Sequence, residues 1–154
     1  MTLFLLTHPR ELTKKTNTGR LVLEMVGSNA QVIVWERKKP NAELLALIEQ
    51  GNVVLLYPSE DSQAISDADN FEHYIIIDGT WQEARKIYNQ SPYLRSLPRV
   101  VLTLDKPSAF HLRRNQKEKG LCTAECAIEL WRSQRLTSLA DSLQQTFDAF
   151  VAKK

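Results

Sequence analysis

The residues best suited to chemistry follow an apolar run in the middle of the chain. Residues 75–77 are all isoleucine, and Asp78, Gly79 and Thr80 come directly after them, before a helix-forming sequence. In open α/β sheets ligands bind beyond the carboxyl ends of the strands, so Asp78 is a candidate general base or ligand contact. The same residues also have a structural interpretation, because Thr80 and Glu83 fit a T-x-x-E capping box and Asp78 would favour a helix N-terminus. The sequence leaves both interpretations open.

Polar segments follow three other apolar runs in the same way. His8 comes after the first run, residues 57–59 (Tyr-Pro-Ser) after the third, and Asp105 after the fifth. Polar groups from several strand ends can meet in one crevice. A lone histidine such as His8 or His111 is more often a hydrogen-bonded structural residue than a catalyst.

The cysteines give no indication of a metal site. Cys122 and Cys126 are the two cysteines of the chain, and no second pair of cysteines or histidines stands near them in sequence. A zinc site requires about four such ligands at characteristic spacings. We therefore expect no metal and two reduced thiols, as is usual in the cytoplasm.

The charge distribution permits an RNA partner without establishing one. The net charge is only +2, but the basic residues are clustered. Clusters gathered on one face can hold a phosphate backbone, whereas isolated short clusters are usually solvated loops. The three clusters are Lys14, Lys15 and Arg20; Arg37, Lys38 and Lys39; and Arg113, Arg114, Lys117 and Lys119.

The elements that must position these residues alternate between strand and helix. Apolar runs predict five strands, at residues 3–6, 31–36, 53–57, 74–77 and 100–104. Several of them lack alternation, which is typical of parallel strands covered on both faces. Helices are predicted at residues 18–26, from the Asn41 cap to residue 50, and from residue 138 to the C-terminal end, whereas residues 105–120 show no clear element. The pattern predicts an α/β fold with a mainly parallel sheet.

Length and composition predict one domain over residues 1–154. The chain is long enough for one full core and short for two. No apolar stretch approaches the roughly 20 residues that span a bilayer. The apolar N-terminal run has no basic leader, so we interpret it as a strand and expect a cytoplasmic protein.

Several ordered motifs together resemble the DTW-domain family. The last two are weaker matches than the first four, but all of them occur in the family's order. They are H-P-R-E (8–11), K-x-T-N-T-G (14–19), L-L-Y-P-S (55–59), D-G-T-W-x-x-A-R-K (78–86), L-P-R-V (97–100) and C-T-A-E-C (122–126).

The resemblance implies a fold and a reaction. The fold is SPOUT-related, with a C-terminal trefoil knot around the donor. The reaction moves the 3-amino-3-carboxypropyl group of S-adenosylmethionine to N3 of a tRNA uridine and releases methylthioadenosine. With that chemistry, Asp78 is the expected catalytic base. Donor contacts are expected from Tyr57, Pro58, Ser59, Asp78, Gly79, Thr80, Trp81, Leu104, Thr123 and Glu125, and RNA contacts from Arg10, Lys15, Arg20, Arg113 and Arg114.

Two departures from the family pattern leave alternatives open. Many bacterial members carry a zinc-binding segment before H-P-R-E, and we expect none here. The late block usually has serine and alanine where this chain has Cys122 and Cys126. The alternatives are an RNA methyltransferase on the same kind of fold and a non-catalytic RNA-binding module.

Overall fold

The structure, a computed structural model, describes residues 2–13, 22–24, 30–57, 63–64, 72–101, 123–133 and 137–152. A short 3-10 helix, Pro9–Thr13, follows the first strand. The strands are β1 (Thr2–Thr7), β2 (Ala30–Val34), β3 (Val53–Leu56), β4 (Gln63–Ala64), β5 (His73–Asp78) and β6 (Arg99–Val101). The helices are α1 (Ala42–Gln50), α2 (Trp81–Asn89), α3 (Pro92–Arg95), α4 (Thr123–Ser133) and α5 (Thr137–Ala152).

The described strands form a single parallel sheet in the order β2-β1-β5-β3-β6-β4. Because all strands are parallel, their carboxyl ends lie at one edge, which we call the carboxyl edge. The predicted α/β class and parallel sheet are confirmed. The central pair is β1 and β5, which align Thr7 with Asp78.

Alternating side chains of the central strands divide the core into two layers. On one face, Leu3, Leu5, Tyr74 and Ile76 pack in a cluster with the helical residues Trp131 and Phe147. On the other face, Phe4, Leu6, Ile75 and Ile77 pack in a cluster with Leu44 and Ile87. Successive side chains of a strand point to opposite faces, so strands covered by helices on both faces must be apolar at every position. This explains the uninterrupted isoleucine run before Asp78.

Local capping signals are confirmed where the structure describes them. Asn41 caps α1 by accepting a hydrogen bond from the Leu44 amide, and Gly51 ends that helix with φ of 93°. The C-terminal helix begins at Thr137, one residue before its predicted start, and buries Leu143 and Phe147 as its spacing predicts.

Some predicted bounds differ from the observed ones. β5 extends one residue further at each end than predicted, so Asp78 is itself the last residue of the strand. The strand predicted at 100–104 begins at Arg99 and is described only as far as Val101. Of the helix predicted at 18–26, residues 22–24 are described and are helical. The sequence missed β4 and α3 because elements of two and four residues are too short to carry a periodic pattern.

Candidate active site

The connections of β1 and β5 open a crevice between these strands. The chain leaves β1 toward β2 on one side of the sheet, and it leaves β5 toward β6 on the other side. Neighbouring strands whose connections diverge form a topological switch point, which is where ligands of open α/β sheets bind. Thr7 and Asp78 are the last residues of these two strands, so they lie at the mouth of this crevice.

Asp78 is a buried carboxylate, with only 2% of its surface exposed. The Thr7 hydroxyl oxygen lies 3.5 Å from Asp78 Oδ2 and 3.0 Å from the Leu5 carbonyl oxygen, so its one proton is shared between two acceptors. The alternation along both strands places Thr7 and Asp78 on the face of the sheet that carries Trp131 of α4. Asp78 is therefore directed toward the C-terminal helices.

His8 lies beside Asp78 but belongs to the other face of the sheet. Its backbone amide donates to the Asp78 carbonyl oxygen over 3.0 Å, which ties β1 to β5 beyond their last paired residues. Its imidazole stacks on Trp35, with ring centroids 6.1 Å apart, and its Nδ1 is 3.7 Å from Glu83 Oε2. Both Trp35 and the helix that carries Glu83 pack on the face opposite to Trp131.

The hydrogen bond at Nδ1 fixes the tautomer of His8. Nδ1 accepts a hydrogen bond of 3.1 Å from the Arg10 backbone amide, so the ring proton must be on Nε2. Burial lowers the pKa of His8; Glu83 opposes this effect, and the charges of Arg10 and Lys86 add to it. At neutral pH His8 is thus a neutral imidazole, and its contact with Glu83 becomes an ion pair only on protonation.

The turn between β5 and α2 is built by Gly79, Thr80 and Glu83. The Glu83 amide donates to Thr80 Oγ1 over 3.2 Å, and the Thr80 amide donates to Glu83 Oε1 over 2.9 Å, so the predicted capping box is confirmed. A Cβ at position 79 would lie 3.0 Å from Glu83 Cβ, so a side chain there would crowd Glu83 and the turn favours glycine. The N-cap is Thr80 rather than Asp78, which leaves the Asp78 side chain outside the capping box.

Tyr57 follows β3 at the same edge and stacks against α2. Its ring lies 4.2 Å from that of Tyr88 at an interplanar angle of 14°, and the Arg99 guanidinium lies 5.9 Å from the Tyr88 centroid. Burial raises the pKa of Tyr57, and Tyr88 adds to this effect, so Tyr57 is a neutral phenol at physiological pH. Because Tyr88 covers one face of the ring, that face is not open to a ligand.

The remaining predicted site residues fall into two groups. Trp81 begins α2, Thr123 and Glu125 lie in the first turn of α4, and Arg10 is exposed in the 3-10 helix. The other predicted residues lie outside the described residues: Pro58, Ser59, Leu104, Lys15, Arg20, Arg113 and Arg114.

The sequence does not predict several side-chain contacts of this edge. Thr7 begins the polar segment after the first strand, but no local signal predicts its contact with Asp78. The sequence predicts Trp35 as part of a strand and Glu83 as part of a helix cap, and it does not predict their contacts with His8. No group of three metal-binding side chains is found in the part of the chain that the structure describes. None of the described helices is both long and apolar enough to cross a bilayer.

Comparison with protein families matches the whole chain, residues 1–154, to the DTW domain. The chain belongs to the DTW-domain family. Its relatives include proteins named tRNA-uridine aminocarboxypropyltransferase 2 from three animals. The Drosophila melanogaster protein is 32% identical over 133 residues, 81% of this chain and 53% of its own length. Those of Macaca fascicularis and Mus musculus are 26% and 25% identical, each over 81% of this chain and 45% of their own length.

This DTW-domain chain spans about half the length of these curated relatives. No solved structure matches it. The names of these relatives describe transferases that act on tRNA uridines. In open α/β sheets, ligands bind at the carboxyl edge of the strands.

Proposed function

We propose that this protein transfers the 3-amino-3-carboxypropyl group of S-adenosylmethionine to N3 of a uridine in tRNA and releases methylthioadenosine. The observation that carries the proposal is Asp78, a buried carboxylate at the switch point between β1 and β5. Membership of the DTW-domain family and the names of the relatives support the reaction class.

The donor supplies an activated sulfonium, so the protein needs mainly to position the nucleophile and to take up a proton. Uridine N3 forms a bond to the γ-carbon of the aminocarboxypropyl arm while the carbon–sulfur bond breaks. The electron pair of that bond remains on sulfur, which leaves as a neutral thioether. Asp78 accepts the N3 proton as general base. Thr7 orients the Asp78 carboxylate through the contact between Oγ1 and Oδ2.

The donor is assigned to the carboxyl edge around Asp78, where residues from both faces of the sheet meet. Thr123 and Glu125 lie on α4, which packs on the face toward which Asp78 is directed. Tyr57 and α2, which begins at Trp81, pack on the opposite face. We assign donor contacts to Tyr57, Pro58, Ser59, Asp78, Gly79, Thr80, Trp81, Leu104, Thr123 and Glu125. The chain after β6 would form the knot around the donor that the resemblance implies. Because Tyr88 covers one face of the Tyr57 ring, Tyr57 contributes its edge or its hydroxyl.

RNA contacts are assigned to Arg10, Lys15, Arg20, Arg113 and Arg114, whose charges suit phosphate groups. We propose that no metal takes part. Calorimetric titration of the donor after exhaustive chelation should give undiminished binding. Loss of binding on chelation that is restored by zinc would contradict the metal-free site.

Incubation with donor and unmodified tRNA, followed by mass spectrometry of the nucleosides, tests the reaction. We expect 3-(3-amino-3-carboxypropyl)uridine and methylthioadenosine in equal amounts. Methylated nucleosides with S-adenosylhomocysteine would identify a methyltransferase instead. Binding of tRNA without any product would identify a non-catalytic RNA-binding module.

A further inference from the structure

Six exposed cations lie on segments that follow three neighbouring strands of the sheet, β2, β1 and β5. They come from the turn after β2, from the 3-10 helix after β1, and from the middle and last turn of α2, which follows β5. We call this set the basic rim: Arg37, Lys38 and Lys39; Arg10; and Arg85 and Lys86.

The charges of the two cations on α2 act on groups that follow the two strands on either side of β5. The charge of Lys86 acts on His8, which follows β1, and the charge of Arg85 acts on Tyr57, which follows β3. Strand β5 lies between β1 and β3. Ala84 and Ile87 of the same helix are buried in the core, which leaves Arg85 and Lys86 on its outer surface.

The basic rim has few acidic neighbours. Glu36 is the one exposed acid among the described residues of these three segments. None of the six cations forms an ion pair with another described residue. By contrast, the described part of α4 and α5 carries Asp141 and Asp148 on its exposed surface, and its cation Arg132 is paired with Asp141 at 3.0 Å. The net charge of the chain is only +2, but most of the exposed cations among the described residues belong to the basic rim.

We propose that the basic rim, with Arg85 and Lys86 at the end nearest to β5, is the surface that holds the RNA phosphate backbone beside Asp78. The inference rests on the proposed function for its choice of RNA as the polyanion. The cations of α2, which packs on the His8 face of the sheet, would position the RNA strand beside the Asp78 carboxylate, which is directed to the opposite face. Arg85 and Lys86, the last two residues of the D-G-T-W-x-x-A-R-K motif, are thereby RNA contacts additional to the five assigned above.

The test is a matched pair of double variants. Arg85→Ala with Lys86→Ala removes two rim charges, and alanine preserves the helix because it is the best helix former. Arg95→Ala with Arg132→Ala removes the same net charge at exposed positions away from the carboxyl edge. Binding of unmodified tRNA is measured without donor by fluorescence anisotropy at several salt concentrations between about 50 and 200 mM.

We expect the rim variant to bind tRNA at least about tenfold more weakly than the unmodified protein. The slope of log K against log salt should become less steep by about 1.4–1.8, which corresponds to the loss of two phosphate contacts. The control variant should change the slope far less. The proposal is overturned if the two variants behave alike, if the slope of the rim variant is unchanged, or if the unmodified protein binds no tRNA.

The binding experiment separates this proposal from the proposed reaction. If tRNA binding depends on the basic rim but no transfer product forms, the proposed reaction is contradicted and the proposed RNA-binding surface is supported. If the rim variant forms the product with an unchanged KM for tRNA, the proposed reaction is supported and the proposed RNA-binding surface is contradicted.

Discussion

The polar residues at the two ends of β5 differ in how many interaction partners their side chains have. At the carboxyl end, Asp78 is contacted by Thr7, and the neighbouring His8 accepts a hydrogen bond from the Arg10 amide and stacks on Trp35. At the amino end, the Nδ1 atom of His73 is buried with no hydrogen-bond partner within the described part of the chain. Its Nε2 lies 3.9 Å from Glu72, whose side chain is 73% exposed.

This difference distinguishes the carboxyl end of β5, where we place the active site, from the amino end, which has only a structural role. A buried polar group held by several partners keeps one orientation, which catalysis requires, whereas a buried atom without a partner only lowers stability. Substitutions at the carboxyl end should therefore affect turnover, and those at the amino end should affect stability alone.

The largest effect is expected from Asp78→Asn. Asparagine has nearly the same shape but cannot accept the uridine N3 proton, so turnover should fall by about 10²–10⁴-fold. Donor binding and thermal unfolding should change far less, because Thr80 rather than Asp78 caps α2. Turnover is measured by the release of methylthioadenosine, and unfolding by circular dichroism.

Two other outcomes for Asp78→Asn are informative. Near-normal turnover would make Asp78 a structural residue of the strand end. Weak donor binding with an intact fold would move it from catalysis to the donor pocket.

A smaller effect is expected from Gly79→Ala, compared with Gly51→Ala before β3 at the amino edge. The new Cβ at position 79 would press on Glu83 and approach His8 Cβ at 3.6 Å, so the protein should lose about 1–3 kcal/mol of stability together with part of its turnover. Gly51 has open space around it but φ of 93° and ψ of −174°, a conformation almost restricted to glycine, so alanine there should cost about 1–3 kcal/mol through backbone strain alone. Both are measured by urea unfolding and turnover. Equal loss of turnover in both variants would contradict the distinction between the two edges.

A pH-dependent effect is expected from His8. Burial lowers its pKa, so the unfolded chain takes up a proton near pH 6.5 while the folded protein resists. Stability is therefore lost as the pH falls from about 6.5 through the lower pKa of the folded state. His8→Asn keeps an acceptor for the Arg10 amide but does not titrate, and its unfolding temperature should fall less over this range. An identical acid dependence in both proteins would assign the loss to other groups.

The smallest effect is expected from His73→Leu. Leucine removes a buried nitrogen that has no hydrogen-bond partner in the described structure, so stability should change by less than about 1 kcal/mol in either direction. Turnover should equal that of the unmodified protein in the same assay. A fall in turnover comparable to that of Asp78→Asn would show that the amino edge also takes part in the reaction.

Much of the local structure follows from the sequence. The Asn41 cap and the T-x-x-E capping box depend on contacts within three or four residues, so their geometry is encoded where they occur. The apolar runs likewise predict the longer strands and the parallel class of sheet, because strands covered on both faces must be apolar throughout. Asp78 is identified as a candidate by the same local logic, as the first polar residue after such a run.

The tertiary structure decides which strand ends meet. The order of strands pairs Thr7 with Asp78 across 71 residues, and no local pattern specifies that partner. The same order brings Glu83 of α2 to 3.7 Å from His8 Nδ1. That nitrogen already accepts a hydrogen bond from the nearby Arg10 amide, a local contact that fixes it as an acceptor. The order of strands also gathers cations from three separate segments into the basic rim. Sequence determines each element through contacts between near neighbours, whereas the site depends on contacts between strands that only the folded sheet places side by side.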